Sequence, residues 1–236
     1  MDLVAPFRIV RQAWRGLVDV LYPPRCLHCN TRTPTPSIPL CSRCLQRLEQ
    51  ADPDAVLDHI ERLPDAPAAL DRARALWRFD KDGALQQVQH ALKYRNRPRY
   101  GIALGRLMAA GWDARAVALD AIVPIPLHRT RRYERGYNQS TMLARGLSET
   151  LDVPVRTDWL RRPIATRSQA RLSRAARWSN VEGAFRTTDA DAIAGRSLLL
   201  VDDIITTGST AVAAAATLKN AGAAQVTLYA LAFARD

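Results

Sequence analysis

Apolar and polar positions along the chain change period several times, and the changes divide it into elements. Near the start, Trp14, Leu17, Val18, Leu21 and Tyr22 recur at helical spacing and predict a short amphipathic helix. Leu45, Leu48, Val56, Leu57 and Ile60 predict a second helix over 45–60, broken near Pro53. The run Leu63-Pro-Asp-Ala-Pro67 then reads as a linker. It places a domain boundary between 64 and 74, with a small N-terminal unit, 1–65, and a larger domain, 66–236.

Beyond the linker, short apolar runs alternate with helix-length segments. Ala75 to Phe79 is expected as a strand closed by the turn Asp80-Lys81-Asp82-Gly83, followed by helices over 84–94 and 99–111. Ala121 to Pro126 predicts a buried strand ended by prolines, 138–150 a helix and Val153 to Thr157 a strand. Residues 161–180 are basic and polar, with little apolar period. Ser197 to Val201 offers no polar face at all, 209–221 is an alanine-rich helix closed by Gly222, and Val226 to Phe233 is a final buried strand. Strands buried on both faces and alternating with helices mean an α/β fold with a mainly parallel sheet.

Composition adds limits. With 47% hydrophobic and 24% charged residues in 236, the chain can bury a core and is not disordered. No stretch reaches the ~18 unbroken apolar residues of a membrane span. The first residues, with Asp2 and Pro6, lack the features of a secretory signal, so a cytoplasmic location without membrane insertion is expected. The net charge of +11 is almost all arginine, since Lys81, Lys93 and Lys219 are the only lysines. From Leu127 to Arg177 there are twelve arginines against four acids. That block points to an anionic partner, either nucleic acid or a phosphorylated small molecule, unless it is merely a solvated face.

All four cysteines fall within nineteen residues, as two C-x2-C pairs: Cys26 with Cys29 and Cys41 with Cys44. Two tight turns of this kind, folded together, form a tetrahedral sulfur cage for zinc. Disulfides would need an oxidising compartment, and Pro23, Pro24 and the Thr-Pro-rich loop 31–39 deny either pair the strand–helix context of a redox motif. Four thiolates leave no open position for water, so the metal is expected to fold the segment rather than catalyse.

The chemistry concentrates in Leu198-Leu-Leu-Val-Asp-Asp-Ile-Ile-Thr-Thr-Gly-Ser-Thr210, which leads into a helix. Asp202 and Asp203 stand at the carboxyl end of a central strand, where open α/β sheets place ligands. Thr206, Thr207, Gly208, Ser209 and Thr210 then open a helix N-terminus, whose unpaired N–H groups and dipole favour a phosphate. The two acids would repel phosphate and suit ribose hydroxyls, a developing positive charge or hydrated Mg²⁺ instead. No Walker-type G-x4-G-K-[ST] run exists in the chain. A plain capped helix explains the hydroxyls but not the paired acids.

Val201 to Thr210 resembles the phosphoribosyl-pyrophosphate (PRPP) loop of type I phosphoribosyltransferases. The cysteine knuckle, Ala91-Leu-Lys-Tyr94, the run from Val123 through Gly136 to Gln139, and Thr166-Arg-Ser-Gln169-Ala-Arg-Leu172 with its continuation to Phe185 narrow the resemblance. Together they are similar to the ComF family, a competence-associated group that includes proteins linked to gluconate utilisation. Resemblance covers about 20–236 and implies a type I phosphoribosyltransferase fold behind a small, mostly helical zinc-binding segment.

The resemblance implies a PRPP site: Asp202 and Asp203 on the ribose hydroxyls, and residues 206–210 on the 5′-phosphate. Arg129, Arg131, Arg132 and Arg135 would meet the pyrophosphate, with Gln169, Arg174 and Arg177 on a flap, 162–178, that closes over the site. Lys93 is either a phosphate ligand or a solvated helix end, while His128 is expected to be structural. The implied reaction displaces pyrophosphate from C1 of the ribose with Mg²⁺ present, the acceptor being unknown. The competing expectation is a PRPP-regulated or non-enzymatic protein that handles single-stranded DNA or meets competence-machinery proteins.

Overall fold

The computed structural model describes residues 23–63, 66–112, 118–164 and 183–234. The helix expected around Trp14 to Tyr22 lies outside them. Four strands form one parallel sheet in the order β1 (Arg72–Arg78), β6 (Gln225–Phe233), β5 (Ser197–Ile205), β2 (Ala121–Pro124). A separate antiparallel pair joins β3 (Leu160–Arg161) to β4 (Arg186–Thr187). Central β6 has eight of its nine residues buried, the sign of a strand covered on both faces.

Each edge of the sheet is partly covered. Glu49 accepts from the backbone N–H of Arg78, Ala51 donates to Leu76, and Gln50 bridges Trp77, so the N-terminal segment covers the outer side of β1. At the far edge the strand expected over 153–157 is reduced to one parallel bridge, Val155 beside Ile122. Pro154 has no N–H to donate, which limits the pairing to its carbonyl and the Arg156 N–H.

The helix expected over 45–60 is two helices, α1 (Ser42–Gln46) and α2 (Pro53–Glu61). The break sits at Pro53, the first residue of α2, where Asp52 caps the Asp54 N–H. A short α3 (Ala66–Ala69) precedes the sheet. On one face of it, α4 (Ala84–Tyr94), α5 (Pro98–Ala110) and α7 (Gln139–Leu151) pack with Leu199, Val201 and Tyr229. Cys26, Leu40 and Cys44 belong to the same apolar cluster. On the other face, α9 (Ser209–Asn220) packs with Val56, Ile60 and Leu63 of the N-terminal segment. Gly105 of α5 and Gly146 of α7 face each other so closely that a Cβ on either would strike the opposite helix backbone. Two smaller helices, α6 (Arg129–Arg135) and α8 (Ala190–Ile193), complete the described elements. Among the described residues, no helix is long and apolar enough to cross a membrane.

Candidate active site

Strand β5 continues past Val201, where the sequence pattern ends it, through both acids to Ile205. Its pairing explains this: Asp202 and Ile205 still lie opposite Ala230 and Phe233 of β6. On the other side β2 stops at Pro124, opposite Val201. The acids thus occupy a part of β5 that projects beyond its neighbour, at the carboxyl end of the sheet.

Successive strand residues leave opposite faces, so the two carboxylates have different surroundings. Asp202 Oδ1 accepts from the Ser140 hydroxyl at 3.0 Å and from the Asp203 N–H at 2.8 Å. Asp203 Oδ1 accepts from the Ile204 N–H at 3.0 Å. Its buried Oδ2 lies 3.5 Å from Lys93 Nζ as a charge neighbour, yet accepts no hydrogen bond. Burial, followed by the adjacent charge of Asp203, pushes the Asp202 carboxyl up to about 7.

The loop after β5 lines one end of a cavity of about 430 Å³. Gly208 has φ of 83°, the left-handed conformation that glycine adopts without a Cβ penalty. A Cβ there would lie 2.9 Å from Ile60 Cγ1 and 3.4 Å from Leu63 Cδ1, so it faces the packed N-terminal helix rather than the cavity. Buried Thr207 and Ser209 turn their hydroxyls on each other at 3.0 Å, which ties the loop together. Thr206 and Thr210 are more open, and His59 Nε2 of α2 meets the Thr206 carbonyl at 2.8 Å.

Arg131 and Arg135 line the same cavity as Asp202, Asp203 and residues 206–210. Arg135 donates to Gln139 Oε1 at 2.9 Å, and Gln139 Nε2 to the Leu92 carbonyl at 3.1 Å, which fixes α6 against α4. Arg131 pairs with Glu134 at 3.2 Å. Arg129 and Arg132 are exposed on α6 and outside the lining. Lys93 faces the cavity, so it is not simply a solvated helix end. His128 Nδ1 accepts the Thr130 N–H at 3.3 Å and so caps α6. Gln169, Arg174 and Arg177 lie outside the described residues.

Sequence reasoning missed three residues here: Ser140, which holds Asp202; Gln89, on the cavity wall; and Arg162 as a wall residue. The Arg162 guanidinium lies over the Phe185 ring at 5.3 Å. Burial weakens its hold on the proton while the Asp202 charge supports it. Its one sequence signal was its place at the head of the basic stretch.

Away from this cavity, Cys26, Cys29, Cys41 and Cys44 bring their sulfur atoms within 4.8 Å of one another. Contacts with Thr31 draw the exposed Cys29 thiol down to about 6, and burial pushes Cys44 up to about 12. Four thiolates this close repel each other, and a dication removes that repulsion. The donor set is that of a closed structural zinc site.

A phosphoribosyl transferase domain model matches residues 137–236. DNA utilization protein YhgH of Salmonella typhimurium is 31% identical over 211 residues, covering 87% of this chain and 82% of that protein. Competence protein F of Haemophilus influenzae is 36% identical over 114 residues, 48% of this chain and 50% of that one. Among solved structures, the glutamine PRPP amidotransferase from B. subtilis is 21% identical with a TM-score of 0.42, covering 60% of this chain and 30% of that chain. The parallel sheet, the acid pair before a glycine-bearing loop and the domain match together define a protein of the type I phosphoribosyltransferase fold. Within that class the chain belongs to the ComF family, with YhgH and competence protein F.

Proposed function

We propose that the cavity binds PRPP and that the protein transfers its phosphoribosyl group to an acceptor, releasing pyrophosphate. The observation that carries this is one cavity holding three kinds of group: the Asp202–Asp203 pair, a helix N-terminus at residues 206–210, and the cations Lys93, Arg131 and Arg135. The 5′-phosphate rests on the backbone N–H groups of the loop, where the α9 dipole favours it. The ribose hydroxyls donate to the carboxylates, and Asp203 Oδ2 is a buried acceptor still lacking such a donor.

The same orphaned oxygen suits a hydrated Mg²⁺ carried with PRPP, which Asp202 and Asp203 would hold through water. When bound, that ion offsets negative charge on pyrophosphate. The protein's own part is electrostatic. As the C1–oxygen bond breaks, positive charge grows on the sugar beside the Asp202–Asp203 pair, and negative charge grows on the leaving group facing Arg131, Arg135 and Lys93. In the N-terminal segment, zinc on the four cysteines would fix the two C-x2-C turns.

Calorimetry with PRPP and Mg²⁺ tests the site, with pyrophosphate release against pooled acceptors as the activity readout. Wild type should bind PRPP, and Asp202→Asn with Asp203→Asn should lose the Mg²⁺-dependent part of binding while keeping the fold. No binding by well-folded wild type refutes the assignment.

A second reading has its own support. Arg129, Arg132 and Tyr133, the last 91% exposed, stand on the outer side of α6, away from the cavity. A cationic surface with an exposed ring suits single-stranded DNA, and the relatives' names point to DNA use. Salt-dependent binding of an oligonucleotide, with a log–log slope that falls by about 0.7 for each arginine removed, is its signature.

A further inference from the structure

A second cavity, of about 830 Å³, opens between the cysteine knuckle and α4. Gln89, Lys93 and Tyr94 line both this cavity and the first, so the two are neighbours across one helix end. Half-buried Leu27 and Phe79 contribute its apolar surface. Tyr94, 69% exposed, stands with its ring 5.0 Å from that of His90 and forms an aromatic ledge.

The charge of the cavity is one-sided. Lys81, Lys93 and Arg95 line it, and among the described residues no aspartate or glutamate does. Asp80 and Asp82 flank Lys81 in the turn, but the Asp80 carboxylate accepts the Ala84 and Leu85 N–H groups, both at 2.8 Å. Lys93 has Asp203 beside it, whereas Lys81 and Arg95 make no ion pair among the described residues. A neutral ring would gain nothing from these two cations, which are exposed and solvated. A ring that carries negative charge satisfies all three features: apolar surface, aromatic ledge and cations.

We propose that this cavity is the acceptor subsite, and that the acceptor is a small, planar, negatively charged ring compound. The proposal rests on the PRPP reading of the neighbouring cavity. A ring nitrogen would form the bond to C1 with its lone pair as the C1–oxygen bond breaks. The bonding electrons leave on pyrophosphate, and a proton passes to water from that nitrogen or from an amino group conjugated with it. Both a carboxylate on a nitrogen heterocycle and a nucleoside monophosphate with an unsubstituted ring nitrogen have the required chemistry.

The test is equilibrium binding of four probes to the full chain: benzene-1,2-dicarboxylate, adenosine 5′-monophosphate, neutral adenine and a fifteen-nucleotide single strand. Variants are the pair Lys81→Gln with Arg95→Gln, and His90→Glu, all exposed positions outside the first cavity. At least one of the two small anionic rings should bind more tightly than adenine, and which one does identifies the source of the charge. That binding should fall at least tenfold in both variants, while PRPP titration in a separate arm stays unchanged. Adenine binding as tightly as both anions, anion binding that ignores the variants, binding of the strand alone, or no binding of any probe would each overturn the proposal. Wild type that binds an anionic ring but not PRPP keeps the anion site and sinks the transferase reading instead.

Discussion

His59 and Thr206 lie 147 positions apart in sequence, yet the His59 Nε2 sits 2.8 Å from the Thr206 carbonyl oxygen. His59 also packs edge-on against Phe233, the last residue of β6. One side chain of the cysteine-bearing segment therefore holds the first residue of the loop after β5. With the ring N–H donating, this contact ties down the loop that the PRPP proposal assigns to the 5′-phosphate.

His59→Ala should leave the fold intact and weaken PRPP binding about fivefold, the worth of a hydrogen bond near 1 kcal/mol. His59→Gln, which keeps an N–H donor, should recover part of the loss. Calorimetry beside thermal melts checks both. Equal affinity in all three proteins would show that the contact does not shape the loop.

Gly208→Val should destabilise the fold through conflict with the N-terminal segment. The new side chain meets Ile60 and Leu63, not the cavity, and the backbone sits at φ of 83°. The smaller change, Gly208→Ala, should cost about 1–2 kcal/mol from the left-handed backbone alone, plus a steric part. Ile60→Ala should remove the steric part, so the double variant should be more stable than the two single losses predict. Strict additivity in urea melts would exclude the contact.

The Asp202 carboxyl has an ordinary value of 3.8 and is pushed to about 7 in the fold by burial. The folded ligand-free protein thus holds this proton more tightly than the unfolded chain does. The stability it contributes is complete below about pH 4 and is lost as pH rises toward 7. Asp202→Asn removes that dependence. Relative to wild type, the variant should gain a few kcal/mol between pH 5 and pH 8 in urea titrations. A parallel pH course for both proteins would contradict it.

Cys44→Ser or Cys26→Ser should lose zinc, of which wild type should carry about one per chain under reducing conditions. Because Cys26, Leu40 and Cys44 share a cluster with Leu85 and Val88, the loss should also loosen α4. Hydrogen exchange should then rise at Val88 to Leu92 as well as around the cysteines. Metal analysis that finds none in wild type would remove the zinc assignment.

What the sequence hid follows from local physics. The two C-x2-C pairs and the acid pair before a glycine loop were legible because their chemistry is local. The start of β1 was not: Arg72 and Arg74 read as polar, but an edge strand tolerates them in alternation with buried Ala73 and Ala75. The length of β5 was hidden because Asp202 and Asp203 break the apolar run while β6 goes on pairing with them. Four arginines near 129–135 looked equivalent, and helical phase alone brings Arg131 and Arg135 to the cavity. His59 and Ser140 carry no pattern, since each acts through residues far away in the sequence.

The order of the sheet bears on how the chain is made. Strand β6, between β1 and β5, is the last of the described strands to leave the ribosome. Until it arrives, β1 has no hydrogen-bonded partner strand in the sheet, and the Asp71 carboxylate waits for a Val226 N–H that is synthesised 155 residues later. The nascent chain must carry β1 and the β2–β5 pair with their inner edges open, the condition under which strands join the wrong partner. Assembly of the sheet is therefore held back until Gln225–Phe233 has been made, and a chain cut short before Gln225 lacks the strand that joins its two halves.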